Sequence, residues 1–176
     1  MRFSAILMLI SGTLLGSCSD NKEAADGPKS YYDISGFFKS EAQRLQRLNP
    51  EVEKTVTQDS SVERKQVKIS KWENEFGLFS SSDINKPSWK DSYEIRASAG
   101  IVEYVARDEA LRTLKIRIEK NKAGSISRIT ISNKVKNALY SSVETLEYIP
   151  DSLYRVDKTN EVKIIGKNHY IISGKF

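Results

Sequence analysis

Apolar and polar residues alternate through most of the chain from Trp89 onward. A period of two is typical of β-strands that bury one face, because successive side chains point to opposite sides of a strand. Only a few residues separate one alternating segment from the next, which leaves no room for the helices that connect parallel strands. The pattern therefore predicts six or more short strands in a largely antiparallel sheet. Its apolar positions include Tyr93, Ile95, Leu114, Ile116, Ile118, Ile129, Ile131, Tyr140, Leu146, Tyr148, Tyr154, Val156, Val162, Ile164, Tyr170 and Ile172.

Short polar segments separate these strands and predict turns. Two of them are 121–124 and Pro150-Asp151. A third runs from Asp157 to Glu161, whose acidic ends are reminiscent of a calcium loop. That segment lacks the glycine and the length of such a loop, so we expect a hairpin turn there.

A helical period precedes the sheet. Apolar residues recur at steps of three and four at Ile34, Phe38, Ala42, Leu45 and Leu48. This spacing predicts an amphipathic helix, with Asp33 or Ser35 as its cap and Asn49-Pro50 as its end.

Two further elements are predicted between this helix and the sheet. A hairpin is expected from 52–58 and 62–69, around the turn-forming residues 59–61. A second short helix is expected over 70–80, because Trp72, Phe76 and Phe79 follow one another at helical spacing.

Together these elements predict an α+β fold. An N-terminal helix and a second short helix pack on a curled, mostly antiparallel β-sheet, and a long curled sheet can form a partly open barrel. Residues 31–176 form a single α+β domain, since their number suits one hydrophobic core.

One cysteine and one histidine limit the chemistry that this chain can perform. A single cysteine excludes an internal disulfide, and a single histidine excludes an HExxH zinc site. The sequence contains neither GxSxG nor GxGxxG, so we expect no catalytic residue, metal or cofactor. His169 falls on the face of the last predicted strand that is opposite its aromatic residues, which favours a solvent-facing histidine over a general base.

The charge pattern argues against nucleic acid as a partner. The formal net charge of +5 is spread over segments of mixed sign rather than gathered into a basic stripe. Alternation places such charges on the outer face of strands, which favours a solvated surface that protects the sheet edges. A site for anionic lipid or another polyanion is the alternative.

The first 17 residues have the features of a signal peptide: a basic start at Arg2 and an apolar stretch from Phe3 to Gly16. That stretch is too short to cross a bilayer as a helix. It ends in Leu15-Gly16-Ser17-Cys18, which resembles the lipobox of bacterial lipoprotein precursors. The resemblance implies that the chain is cut before Cys18 and that Cys18 carries lipid. Ordinary secretion with a free Cys18, or an uncleaved anchor, are the alternatives.

Residues 18–30 would then be a lipid-anchored flexible tether, because 19–30 contain no aromatic or branched aliphatic side chain. By the same resemblance, Ser19 after the lipidated cysteine favours the outer membrane. Asp20 and Glu23 are similar to the export signal of surface lipoproteins in the Bacteroidetes group. The periplasmic and the surface face of that membrane both stay open.

Aromatic residues crowd both predicted helices. Core packing is one interpretation, and a groove for an apolar ligand between helix and sheet is the other. The candidate groove residues are Phe37, Phe38, Trp72, Phe76 and Trp89.

The body of the chain resembles lipoproteins of Bacteroidetes-type bacteria for which no activity can be carried over. The resemblance lies in 72–76, which is followed by 83–87, and in the tail 170–176. The predicted architecture is also similar, at the level of fold, to the half-barrels that carry lipoproteins to the outer membrane.

Three functional hypotheses follow. The leading one is a non-catalytic binding or accessory domain, tethered to the outer membrane by the acylated Cys18, with an apolar ligand or an envelope protein as partner. The alternative is an envelope hydrolase whose carboxylates are brought together by the fold. A purely structural subunit of an envelope complex is the third.

The Cys18→Ala substitution should release the protein from the membrane, because it removes the sulfur that would carry the lipid, and stable anchoring takes more than one acyl chain. The fraction that sediments with washed envelopes measures this. Ser30→Ala, at the other end of the tether, should sediment like the parent. An alanine variant at position 18 that sediments equally well would refute the anchor.

Overall fold

A single nine-stranded antiparallel sheet dominates the computed structural model, which describes residues 29–176. The signal peptide, Cys18 and most of the tether lie outside the described residues. The helices are α1 (Ile34–Leu48), α2 (Trp72–Glu75) and α3 (Gly77–Ser80), with a 3-10 turn at Pro87–Trp89. The strands are β1 (Glu51–Gln58), β2 (Ser61–Lys68), β3 (Tyr93–Ser98), β4 (Ile101–Ala106), β5 (Thr113–Lys120), β6 (Ile126–Lys136), β7 (Tyr140–Ile149), β8 (Leu153–Val162) and β9 (Gly166–Lys175).

The strand order is β2-β1-β9-β8-β7-β6-β5-β4-β3. Strands β3 to β9 therefore follow one another in space as they do in sequence, and the β1–β2 hairpin adds to the sheet through β9. The sheet is curled but not closed, since β2 and β3 each have one neighbour. The predicted α+β class is confirmed.

All three helices pack on one face of the sheet, called the inner face here. Its centre is apolar because every second residue of the central strands points toward the helices. The aliphatic and aromatic residues of β5–β8 with 0 or 1% exposure are Ile116, Ile118, Ile129, Ile131, Leu146, Tyr148 and Tyr154.

Helix α1 forms largely as its sequence predicts. The Asp33 side chain accepts a hydrogen bond of 2.8 Å from the Gly36 N–H, which caps the first turn. Asn49 ends the helix in the left-handed region, with φ 45°, and its N–H donates to the carbonyl of Leu45. Leu48 differs from the prediction, because it is 62% exposed and lies outside the core.

Two hydrogen bonds from tyrosines fix the helices on the sheet. The Tyr148 hydroxyl donates to Glu41 of α1, and the Tyr154 hydroxyl donates to Glu75 of α2, each over 2.5 Å. Tyr148 and Tyr154 are directly opposed on β7 and β8. Burial raises the pKa of both phenols, and the neighbouring carboxylates raise it further, so both stay protonated donors.

Three sequence-based expectations need correction. Residues 157–161 do not form a turn but lie within β8, where each pairs with a residue of β7. The turn follows β8 instead and contains Ile164, which is 91% exposed rather than part of a strand. The helix predicted over 70–80 is interrupted at Phe76, whose φ of −90° and ψ of 10° separate α2 from α3.

The Gly174→Ala substitution should lower the free energy of unfolding by about 1–3 kcal/mol, the usual cost of forcing extra volume into a packed core. A methyl group at Gly174 would overlap the ring of Tyr154, which is only 1% exposed and cannot move aside. Urea denaturation measures the change.

Gly77→Ala is the matched control, because nothing lies within 4 Å of a methyl group there. It should leave stability unchanged or raise it by about 0.5 kcal/mol, since alanine restricts the unfolded chain. Equal effects of the two substitutions would contradict this description of the core.

Candidate functional site

The aromatic residues predicted to line a groove occupy two places in the structure. Phe38, Trp72 and Phe76 are at most 1% exposed and pack against one another, with ring centroids of Phe38 and Phe76 5.3 Å apart. Phe37 is partly buried at the margin of this cluster, 5.2 Å from Phe38. The space between α1 and the sheet is thus filled by these rings, and entry of a ligand there stays a prediction.

Trp89 belongs to a separate group of rings, together with Tyr31, Tyr93 and Tyr104. It packs on Tyr93 with a centroid distance of 6.3 Å, and the Lys86 ammonium lies 4.0 Å above its indole. The Tyr31 hydroxyl lies within hydrogen-bond distance of the backbone carbonyls of Trp89 and Lys90. Trp89 therefore helps to fasten the start of the domain to the sheet.

A groove of about 640 Å³ lies beside α1, but on its outward side. It runs between α1 and the segment 70–74, and seven of its eight lining residues are exposed. Most of them are polar or charged, such as Gln43, Arg47 and Lys71. Its position differs from the predicted space between helix and sheet.

A buried polar cluster lies on the inner face beyond the helices. We call it the Glu144 cluster; its members are Arg112, Asn133, Ser142, Glu144 and Lys158. Asn133, Ser142 and Glu144 are 1%, 3% and 6% exposed. These are low values for side chains of their types, which are mostly found at protein surfaces.

Strand register brings the members of this cluster together. Asn133 on β6 is opposed to Glu144 on β7, and Glu144 is opposed to Lys158 on β8. Alternation places the three on the same face as the apolar residues two positions away, for example Ile131 and Leu146. The inner face is therefore polar at the positions that directly adjoin the apolar core.

The Glu144 carboxylate is the centre of the cluster. Lys158 Nζ donates to its Oε1 over 2.6 Å, while Arg112 Nη2 and Asn133 Nδ2 each lie 3.3 Å from its Oε2. Asn133 Nδ2 also donates to the Ser82 hydroxyl over 2.8 Å. These bonds connect β6, β7 and β8 with Arg112, which directly precedes β5, and with the segment after α3.

The net effect of these neighbours is to lower the pKa of Glu144. Burial alone would raise that pKa, but the hydrogen bond and charge of Lys158 oppose it, and Asn133 and Arg112 add to the lowering. The same contact raises the pKa of Lys158 against the effect of its burial. The ion pair is therefore charged in the folded protein at neutral pH.

Two buried polar atoms of the cluster hydrogen-bond to no other described residue: Asn133 Oδ1 and Ser142 Oγ. Buried polar atoms are nearly always paired, so such an atom calls for an explanation. Beyond Ser142 the inner face continues with partly buried polar side chains. Among them, the Tyr140 hydroxyl donates to Asn160 Oδ1 over 2.9 Å.

The outer face carries the histidine. His169 Nε2 lies 2.8 Å from Asp157 Oδ1, and the two side chains are 43% and 35% exposed. Burial alone would raise the pKa of Asp157, but hydrogen bonds with His169 and Arg155 lower it. Within residues 29–176 no hydroxyl hydrogen-bonds to the imidazole, so the geometry is that of a surface hydrogen bond between His169 and Asp157.

Sequence reasoning missed the Glu144 cluster, although a signal was present. Asn133, Ser142 and Glu144 occupy positions where the alternation of their strands calls for apolar residues. A single sequence does not show whether the end of a strand is buried or exposed, so it does not distinguish a buried polar residue from a solvated one. Only the register reveals that the three lie in adjacent strands.

Comparisons with protein-family models, with curated proteins and with solved structures gave no significant match. Within the described part of the chain, no helix has the length and apolar character needed to cross a bilayer. The same residues contain no group of three acidic, histidine or cysteine side chains placed to bind a metal ion.

The Glu144→Gln substitution should lower the free energy of unfolding at pH 7 by about 3 kcal/mol, because it leaves the charge of Lys158 without its partner in a poorly hydrated place. The pKa of Glu144 is lower in the folded protein than the value of 4.5 that applies to the unfolded chain. The contribution of Glu144 is thus complete above pH 4.5 and is lost as the pH falls through the lower, folded pKa. Unfolding measured between pH 7 and pH 3 tests this.

Glu94→Gln provides the control, since Glu94 pairs with Arg96 at the exposed edge of the sheet. That substitution should change stability little at any pH. Similar curves for Glu144→Gln and Glu94→Gln would show that the Glu144 cluster does not contribute as described.

Proposed function

We propose that this protein is a lipid-anchored, non-catalytic binding or accessory domain of the bacterial cell envelope, attached to the outer membrane through Cys18. The observation that carries the binding part of the proposal is the pair of buried polar atoms in the Glu144 cluster that hydrogen-bond to no other residue of 29–176. The anchor is supported by the lipobox-like residues 15–18 and by the tether that follows them.

The chemistry of the cluster limits what it can bind. Asn133 Oδ1 only accepts hydrogen bonds, so its partner must carry an O–H or N–H group. The Ser142 hydroxyl can donate or accept. Neither atom carries a charge, so hydroxyl or amide groups of a polar molecule would satisfy both of them. We therefore favour a ligand with hydroxyl or amide groups over the apolar ligand suggested by the aromatic residues.

The alternative, an envelope hydrolase, requires two carboxylates that are free to act on a substrate. Glu41 and Glu75 do lie over neighbouring strands, because their hydrogen-bond partners Tyr148 and Tyr154 are on β7 and β8. However, each already has a cation as partner: Arg44 lies 2.9 Å from Glu41, and Lys54 lies 2.7 Å from Glu75. These contacts support a role in holding the helices and favour binding over hydrolysis.

The Ser142→Ala substitution should reduce retention of a co-purifying ligand without destabilising the protein. The Ser142 hydroxyl has no hydrogen-bond partner within residues 29–176. Its removal leaves no other group there unsatisfied, so stability should stay equal or rise by about 1 kcal/mol. Protein extracted from envelopes in mild detergent is compared by native mass spectrometry, which reports any bound mass.

Ser141→Ala is the control, because Ser141 is the neighbouring residue of β7 and points to the outer face. It should retain the ligand as the parent does. The binding proposal fails if the parent carries no ligand, or if Ser141→Ala and Ser142→Ala lose it equally.

A further inference from the structure

The strands β6 to β9 extend beyond the rest of the sheet at one end. Strand β5 is paired with β6 only as far as Asn133, although β6 continues to Lys136. Likewise, β1 is paired with β9 only from Tyr170 to Lys175, although β9 begins at Gly166. The four strands therefore form a ribbon that projects past both neighbours.

Two turns close this ribbon, and they touch each other. The turn between β6 and β7 covers 137–139, and the turn between β8 and β9 covers 163–165. The Lys163 N–H donates to the Leu139 carbonyl over 3.2 Å. We call residues 134–139 and 161–168 the ribbon tip.

The ribbon tip presents large apolar side chains to solvent. Leu139 is 64% exposed, Ile164 is 91% exposed and Ile165 is 86% exposed. None of the three belongs to the hydrophobic core. Turns usually carry small or polar residues, so three adjacent aliphatic side chains indicate a contact surface.

The charges around these side chains are almost all positive. The ribbon tip contains Lys134, Lys136, Lys163 and Lys167 but a single acidic residue, Glu161. None of these lysines forms an ion pair with another residue in the range 29–176, in contrast to Lys54 and Lys158 of the same sheet. The tip therefore combines an apolar end with free cationic side chains.

We propose that the ribbon tip inserts into the surface of a membrane that contains anionic lipids. Leu139, Ile164 and Ile165 would enter the boundary between headgroups and acyl chains, as the apolar side of an interfacial element does. The ammonium groups of the ribbon-tip lysines would contact lipid phosphates, while their aliphatic side-chain carbons would lie along the apolar residues. Charge complementarity favours this occupant over a second copy of the chain, whose tip carries the same positive charge.

This contact is independent of the lipid on Cys18 and goes beyond the proposed function. A tethered domain that also touches the bilayer through the ribbon tip would have a defined orientation. The Glu144 cluster lies farther along three of these strands, β6, β7 and β8, so it would face the space next to the membrane surface.

A single fluorescent label tests the insertion directly. Cys18 is the only cysteine of the chain, so Ile164→Cys in a full chain carrying Cys18→Ala provides one thiol for a polarity-sensitive dye. Vesicles of phosphatidylcholine, alone or mixed with phosphatidylglycerol, are the probe. The label should shift to shorter wavelength with the anionic vesicles and be quenched by lipids that carry a spin label in the acyl chain.

The control label is placed at Ala123→Cys in the same Cys18→Ala chain. Ala123 is exposed in the turn between β5 and β6, at the opposite end of β6. Both chains contain the same first 28 residues, so any membrane binding by that segment is common to both. The label at position 123 should not shift.

The lysines are tested separately in the labelled chain. Lys163→Gln and Lys167→Gln should each weaken partitioning into anionic vesicles about fivefold, and added salt should weaken the parent in the same direction. The proposal is overturned if the label at 164 does not shift with anionic vesicles, or if the label at 123 shifts equally. It is also overturned if the label at 164 shifts at high protein concentration without vesicles. The last result would mean that two chains meet through the ribbon tip.

Discussion

The structure depends on covering one face of an open sheet. A nine-stranded sheet that does not close must bury its apolar face against something, and here α1 and two very short helices provide that cover. Phe38 and Phe76 enter between the helices and the sheet, where they meet Tyr148. Helices of four residues have little stability of their own, so this packing and the hydrogen bonds from Tyr148 and Tyr154 hold them in place.

The helices cover only part of the inner face of the sheet, so the inner face has two regions. Under the helices, the strand residues are aliphatic and aromatic and form the core. Beyond the helices, the same strands continue with Asn133, Ser142 and Glu144, followed by the exposed ribbon tip. The first region stabilises the fold, while the second contains two buried polar atoms that hydrogen-bond to no other described residue, together with the exposed apolar side chains of the ribbon tip.

Much of the fold could be predicted from the sequence because the signals are local. The bounds of α1 follow from its apolar spacing and from Asp33 and Asn49, which act within one turn of the helix. The hairpin of β1 and β2 has a similarly local turn. Errors arose where local signals conflict: Asp157–Glu161 has the composition of a turn, but pairing with β7 keeps it extended. Of the five predicted groove residues, three are fully enclosed by their neighbours: Phe38, Trp72 and Phe76. Trp89 packs on Tyr93 of β3 instead.

The sequence by itself determined the antiparallel class of the sheet, the first helix, and the lipobox-like segment that predicts an anchor. Only the tertiary structure decided that β1 lies beside β9, which joins the two ends of the domain. It also decided that Asn133, Glu144 and Lys158 are direct neighbours, and that Leu139 lies against the turn that contains Ile164. The physical reason is that periodicity reports the direction of each side chain within one segment. Neighbours from distant segments are set by strand register, which depends on how whole surfaces pack together.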